Sequence, residues 1–206
     1  MNVLEIADLV GIVAFGLGGY LAAVRKELDL LGIALATGAT ALGGGVIRDI
    51  LVDRPPLSLT HWLPSLTVIV VIVTAFFTGL HRRPDLERRR LFIISDAIGL
   101  ASFALSGAIA GVHAGFTLFG VLLLTLITAT GGGVIRDTLL NQVPLILTGG
   151  FYGSSALLIG LGYYLLSIMG WANYATVTLL FLAGITVRIT AHYRNWRLPV
   201  IAPHKE

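Results

Sequence analysis

The sequence predicts an all-α integral membrane protein of seven transmembrane helices, built as two inverted three-helix repeats plus one extra helix. Three observations lead there. Hydrophobic residues make up 56% of the 206-residue chain and charged residues only 12%, about half the charged share of an ordinary soluble domain. Seven apolar runs come close to the roughly 20 residues that cross a bilayer core of about 30 Å. The motif Gly43-Gly44-Gly45-Val46-Ile47-Arg48-Asp49 recurs as Gly131-Gly132-Gly133-Val134-Ile135-Arg136-Asp137, 88 residues later.

The first run, Ile6–Val24, is followed by Arg25 and Lys26. The second, Leu31–Val52, contains the first motif. The third, Pro64–Leu80, is the shortest, and an arginine-rich loop follows it with Arg82, Arg83, Arg88, Arg89 and Arg90. Leu91–Val112 and Phe116–Leu140 are the fourth and fifth, the latter with the second motif. Gly149–Met169 and Ala172–Ala191 complete the set, with tight junctions at His113–Gly115 and Gly170–Trp171. The basic tail carries Arg194, Arg197 and Lys205, whereas the opposite side has only Arg54. Lysine and arginine in short loops favour the cytoplasmic side, so the C-terminus is expected in the cytoplasm and the N-terminus outside. Met1–Asp8 lacks the basic stretch and cleavage site of a removable signal peptide.

Sliding the chain by 88 residues without a gap aligns Glu5–Leu57 with Ile93–Leu145, and 24 of those 53 positions are identical. The identities include Asp8 with Asp96, Gly11 with Gly99, Phe15 with Phe103, Gly19 with Gly107, and Pro56 with Pro144. Chance apolar similarity does not reproduce Asp, Arg, Pro and Gly at fixed spacing. Three spans separate the copies, so the second enters the membrane the other way round. Such inverted repeats often place an ion or substrate path at their junction. The chain, 1–206, thus reads as one transmembrane domain. Repeat one covers about 5–80, repeat two about 93–169, the seventh helix about 172–191, and the tail 192–206.

Three successive glycines within a helix cost roughly 1 kcal/mol each relative to alanine. The second and fifth helices are therefore expected to kink or unwind at Gly43–Gly45 and Gly131–Gly133. Carbonyls before the break and amides after it could then face an ion. The plainer alternative is close packing, since small residues let helices approach in lipid. Gly107-x-x-x-Gly111, matched by Gly19-x-x-x-Ala23, is read as such a packing site, between subunits. An arginine and an aspartate follow each triplet, and a charge within a span faces a partner or a watery cavity. By topology Arg48 pairs with Asp8 and Arg136 with Asp96, with Asp49 and Asp137 left to bond elsewhere. These pairs either fix helix register or form charged constrictions at the two ends of one path. Thr37 and Thr40 share a helix face, as do Thr125 and Thr128; with Ser95 and Ser102 they are candidate pore-facing polar residues, beside Ser106.

The five histidines, His61, His81, His113, His192 and His204, are scattered, and the chain has no cysteine. No metal-ligand cluster, nucleophile–histidine–acid set or nucleotide fingerprint is present in the sequence. No enzymatic activity, cofactor or nucleic-acid partner is expected.

At the paired Gly-Gly-Gly-Val-Ile-Arg-Asp motifs the sequence resembles the bacterial branch of the trimeric intracellular cation (TRIC) channels, a family also catalogued as glycine transporters. The resemblance covers the chain to about Arg188. It implies a homotrimer in the cell membrane with a pore inside each protomer. The pore helices would be the second and fifth spans, and potassium and sodium the permeant ions. Arg48 and Arg136 would lie along or near the path. In animal members a basic cluster in the motif region is associated with lipid and gating; here each motif has a single arginine. An alternative use of the same residues is secondary transport of a small amino acid such as glycine, its carboxylate held by glycine amides and arginine.

Overall fold

The computed structural model of the protein describes residues 2–148 and 150–199. Gly149, the expected start of the sixth run, and His204 and Lys205 of the tail lie outside them. The described residues form α1 (Val3–Arg25), α2 (Leu30–Leu51), α3 (Leu57–Thr60), α4 (Trp62–Phe77), α5 (Asp85–His113), α6 (Leu118–Leu139), α7 (Leu145–Thr148), α8 (Tyr152–Ile168) and α9 (Tyr174–Tyr193). A single 3-10 turn, Leu80–Arg82, stands between α4 and α5.

Local chemistry sets the ends. Asn2 begins α1 with a capping box to Glu5, Asp29 caps α2 and Thr117 caps α6, each satisfying amides the helix leaves free. Asp53 and Asn141, 88 residues apart, both take left-handed φ, 54° and 51°, just beyond the C-termini of α2 and α6. The arginine-rich segment is shorter as a loop than expected, because α5 starts at Asp85 and takes in Arg88, Arg89 and Arg90. Pro84 precedes that start, and Asp85 and Glu87 in the first turn suit the positive end of the helix.

Five helices, α1, α2, α5, α6 and α9, are long and apolar enough to cross a membrane. Helices α4 and α8 are also apolar, with 16 and 17 residues. At 1.5 Å per residue they reach only about 24–26 Å. The four-residue helices α3 and α7 lie just ahead of them, a feature the sequence reading missed. Large apolar side chains face outward, Phe77 at 82% and Leu30 at 71% exposure among them, the surface that lipid requires and water penalises.

The interior is organised by reciprocal contacts. Phe15 and Phe103 meet with ring centroids 5.4 Å apart. Phe15 covers Gly99, and Phe103 covers Gly11, where a Cβ would lie 2.9 Å from the ring. These join α1 to α5. A Cβ on Gly44 would collide with the carbonyl oxygen of Thr128, and one on Gly132 with that of Thr40. These join α2 to α6. Swapping members in this way is what a two-fold relation produces.

The expected unwinding at the triplets and the expected contact between subunits are both corrected. Both α2 and α6 run as continuous α-helix through Gly43–Gly45 and Gly131–Gly133, so the glycine triplets are not unwound. Their missing side chains let the two helices touch backbone to backbone, and the α-helix continues through both triplets. Likewise Gly107 and Gly111 pack on Thr128 and Val121 of α6, and Gly19 on Thr37 and Thr40 of α2. They are contacts within one protomer. Helix α9 closes the bundle against α5 and α8, with Gly184 over Ile159 and Ala101.

Candidate functional site

At one end of the α2–α6 crossing stands Arg48, 1% exposed. Its Nη1 donates to Asp8 Oδ1 at 2.5 Å and to Ser106 Oγ. Its Nε and Nη2 donate to Asp49 Oδ1 at 2.9 and 2.7 Å. At the other end Arg136, fully buried, donates through Nη1 to Asp96 Oδ1 at 3.2 Å and through Nε to Asp137 Oδ1 at 2.8 Å. Both pairings expected from topology are formed. Asp49 and Asp137 do more than expected, because each also holds its neighbouring arginine. An adjacent residue points about 100° away along the helix, but the long guanidinium arm curls back across that angle.

The second oxygen of each aspartate reaches forward. Asp49 Oδ2 accepts from the Leu57 amide at 3.0 Å and Asp137 Oδ2 from the Leu145 amide at 2.9 Å. Those are the first amides of α3 and α7, which have no partner within their own helix. The motif aspartate therefore ties the chain after each motif back into the site. Arg54 adds a longer contact to Asp49, 3.4 Å.

An open cavity adjoins each cluster, reaching Arg48 and Asp49 at one end and Asp96 at the other. The one at Arg48 has a volume of about 400 Å³ and is lined by Glu5, Arg48, Asp49, Arg54, Thr60 and His61 among others. The one beside Asp96 has about 230 Å³, with Thr148, Arg188, His192, Asn195 and Arg197 on its walls. Between the clusters the molecule is packed. Gly43 faces Ile135, Gly131 faces Ile47 at 3.3 Å from an added Cβ, and Phe15 and Phe103 fill the centre.

The six polar candidates are all buried. Thr40 and Thr128 donate to their own helices, to Ala36 O at 2.5 Å and Leu124 O at 2.7 Å, as hydroxyls in lipid commonly do. Ser95 donates to Phe92 O at 3.0 Å. Thr37, Thr125 and Ser102 hydroxyls have no partner among the described residues. Ser102 lines an apolar cavity of about 130 Å³ between α1, α5 and α9, which sets it apart from the α2–α6 crossing.

Three site residues were not singled out from the sequence. Tyr152 donates to Asp96 Oδ1 at 3.3 Å. Arg188 of α9 stacks on the Tyr152 ring at 4.5 Å, and Phe92 lies 4.8 Å from the Arg136 guanidinium carbon. Arg188 was visible as a charge inside an apolar run; Tyr152 and Phe92 carried no such mark. Chemically the site offers two neutralised guanidinium groups, hydroxyls and carboxylates, with no metal-ligating group of three or more among the described residues.

A family profile described as glycine transporter matches residues 5–80 and 93–167. The membrane protein YvgT of Bacillus subtilis is 34% identical over 197 residues, 95% of each chain. The inner membrane protein YadS of Escherichia coli is 29% identical over 202 residues, covering 95% of this chain and 94% of its own. Among solved structures, a prokaryotic TRIC channel in 0.5 M KCl superposes with a TM-score of 0.87 at 33% identity, over 95% of this chain and 98% of that one. The TRIC trimeric intracellular cation channel orthologue from Rhodobacter sphaeroides gives 0.87 at 30% identity, over 95% and 100%. A third, solved for conductance through TRIC cation channels, gives 0.84 at 34% identity over 98% of both chains. With a profile spanning both halves and solved relatives sharing its fold along nearly the whole chain, this multi-pass membrane protein belongs to the bacterial TRIC family, the family also described as glycine transporter.

Proposed function

We propose that the protein is a channel for monovalent cations, chiefly potassium and sodium, working as a homotrimer with one path inside each protomer. The observation that carries this reading is the placement of two buried Arg–Asp clusters at opposite ends of one helix crossing, each adjoined by its own cavity. A lone guanidinium would repel a cation from such a path. Here two carboxylates surround each one, so the local charge is cation-attracting whenever the arginine swings aside. The cation channels among its solved relatives, one of them called trimeric, support both the transport class and the assembly.

Conduction requires α2 and α6 to part. Bending at Gly43–Gly45 and Gly131–Gly133 does this at the points where helix is least favoured. It also turns the Thr40 and Thr128 carbonyls, now against glycine, toward a passing ion. All seven long helices cross the bilayer in this reading, as two inverted repeats of about 5–80 and 93–169 plus α9. The apolar outer faces of α2 and α4 meet lipid or neighbouring subunits. The N-terminus is outside, and the Arg136 cluster lies toward the cytoplasm with the basic C-terminal segment.

The family description also favours a second reading, a secondary transporter of glycine. Proteoliposomes separate the two. The channel reading expects rapid potassium flux that does not saturate in the low millimolar range, with no saturable glycine uptake. Glycine uptake that saturates and follows an ion gradient, without potassium flux, overturns it.

A further inference from the structure

We infer that the two arginine clusters are unequal latches and that the Arg136 latch releases first, because Gly18 stands where the repeat-related position holds Ser106. The inference deepens the channel reading and rests on it for its consequence, the location of the gate.

Every guanidinium nitrogen of Arg48 is bonded. Ser106 closes the ring: its Oγ accepts from Arg48 Nη1 and donates to Asp8 Oδ1 at 2.6 Å. Adding 88 to position 18 gives 106, so the corresponding residue at the Arg136 end is Gly18, which brings no hydroxyl. A second deficit is separate from Gly18: Asp49 Oδ1 accepts from both Nε and Nη2 of Arg48, but Asp137 Oδ1 accepts only from Nε of Arg136, so Arg136 Nη2 has no protein partner among the described residues although the side chain is fully buried. Its bond to Asp96, at 3.2 Å, is longer than the 2.5 Å between Arg48 and Asp8.

The carboxylate it depends on is also shared. Tyr152 donates to the same Asp96 oxygen, and Arg188 stacks on the ring of that tyrosine. Position 64, the counterpart of Tyr152, is a proline; at the Arg48 end the hydroxyl sharing the Asp8 oxygen is that of Ser106, which also accepts from Arg48 itself, whereas Tyr152 gives Arg136 nothing in return. A buried N–H without a partner keeps its full desolvation penalty, so letting water reach Arg136 recovers what letting water reach Arg48 would not. Phe92, facing the guanidinium, compensates in part through the ring's negative face.

The vacant position can be filled. A Cβ on Gly18 would lie 3.4 Å from Ser95 Oγ and 3.9 Å from Arg136 Nη1, ordinary contacts that leave room for a serine hydroxyl beside the arginine. Gly45 and Gly133, also related by 88 residues, accept a Cβ with nearest neighbours at 3.8 and 3.5 Å. The chain has no cysteine, so Gly45→Cys and Gly133→Cys report separately on water near each latch.

The test is the rate of modification of these two cysteines by a small cationic thiosulfonate, added to both sides of the reconstituted protein. Gly133→Cys is expected to react about tenfold or more faster than Gly45→Cys. Adding Gly18→Ser should slow the Gly133→Cys reaction several-fold, whereas Gly18→Ala, with the same Cβ and no hydroxyl, should not. Ser106→Gly should speed the Gly45→Cys reaction. Amide hydrogen exchange of the unsubstituted protein gives an independent reading, with residues 133–140 expected to exchange faster than 45–52. Equal cysteine rates, equal exchange, or equal effects of serine and alanine at position 18 overturn the latch. Access is measured without current, so silent bilayers with the predicted rates defeat the channel reading and leave the latch standing. Currents with equal rates do the reverse.

Discussion

Arg48 and Arg136 are buried cations, and each is tolerable only because two carboxylates surround it. Removing one partner of such a pair strands the other charge and costs about 3–5 kcal/mol. Asp8→Ala is therefore expected to destabilise the protein by roughly that amount, read as thermal unfolding in detergent. Adding Arg48→Met should restore part of the loss, since Asp49 keeps the Leu57 amide and Arg54. A double variant whose loss equals the sum of the two single losses contradicts the pairing. At this scale the sequence was informative: the repeat and the parity of the spans suggested Asp8 with Arg48 and Asp96 with Arg136, and the structure forms both pairs. The backward reach of Arg48 to Asp49, and the roles of Tyr152 and Arg188, depend on side-chain conformation and on α9, which no repeat pattern encodes.

Helix α2 and helix α6 show how composition can mislead about an element. Three glycines suggest a broken helix, yet here both helices continue and the glycines make the crossing. Propensity was outweighed by the bilayer's demand that every peptide group be bonded and by the gain from backbone contact. The triplets are not uniform, and alanine substitution should reveal this. In Gly44→Ala and Gly132→Ala the new methyl meets a carbonyl oxygen that cannot turn away, so each is expected to cost about 1–3 kcal/mol as overpacking does. In Gly45→Ala and Gly133→Ala the methyl finds ordinary contacts, and stability should be unchanged or rise by up to about 1 kcal/mol. Thermal unfolding of the four variants checks this, and the same loss for all four would show that the crossing is not where the helices meet.

Across the whole molecule, the 88-residue duplication in the sequence accounts for the reciprocal packing of Phe15 with Gly99 and Phe103 with Gly11, and of Gly44 with Thr128 and Gly132 with Thr40. The apolar runs lie close to α1, α2, α4, α6, α8 and α9, because lipid imposes length and apolarity together, but five of the helices reach membrane-crossing length and apolarity and α5 begins at Asp85, well before its run. The helices α3 and α7 escaped notice, being too short for any periodic signal, although Pro56 and Pro144 stand immediately before them. Departures from the duplication, such as Ser106 against Gly18 and Tyr152 against Pro64, make the two ends of the molecule different. The proposed cation path is bounded by the Arg48 and Arg136 clusters. Single-channel recording of the purified protein in planar bilayers under a potassium chloride gradient tests it most directly, with wild type beside a folded Arg136→Gln. A reversal potential near the potassium equilibrium value, with unitary current altered in Arg136→Gln, is the predicted result; silent bilayers, reversal at the chloride value, or identical currents from both proteins would contradict it.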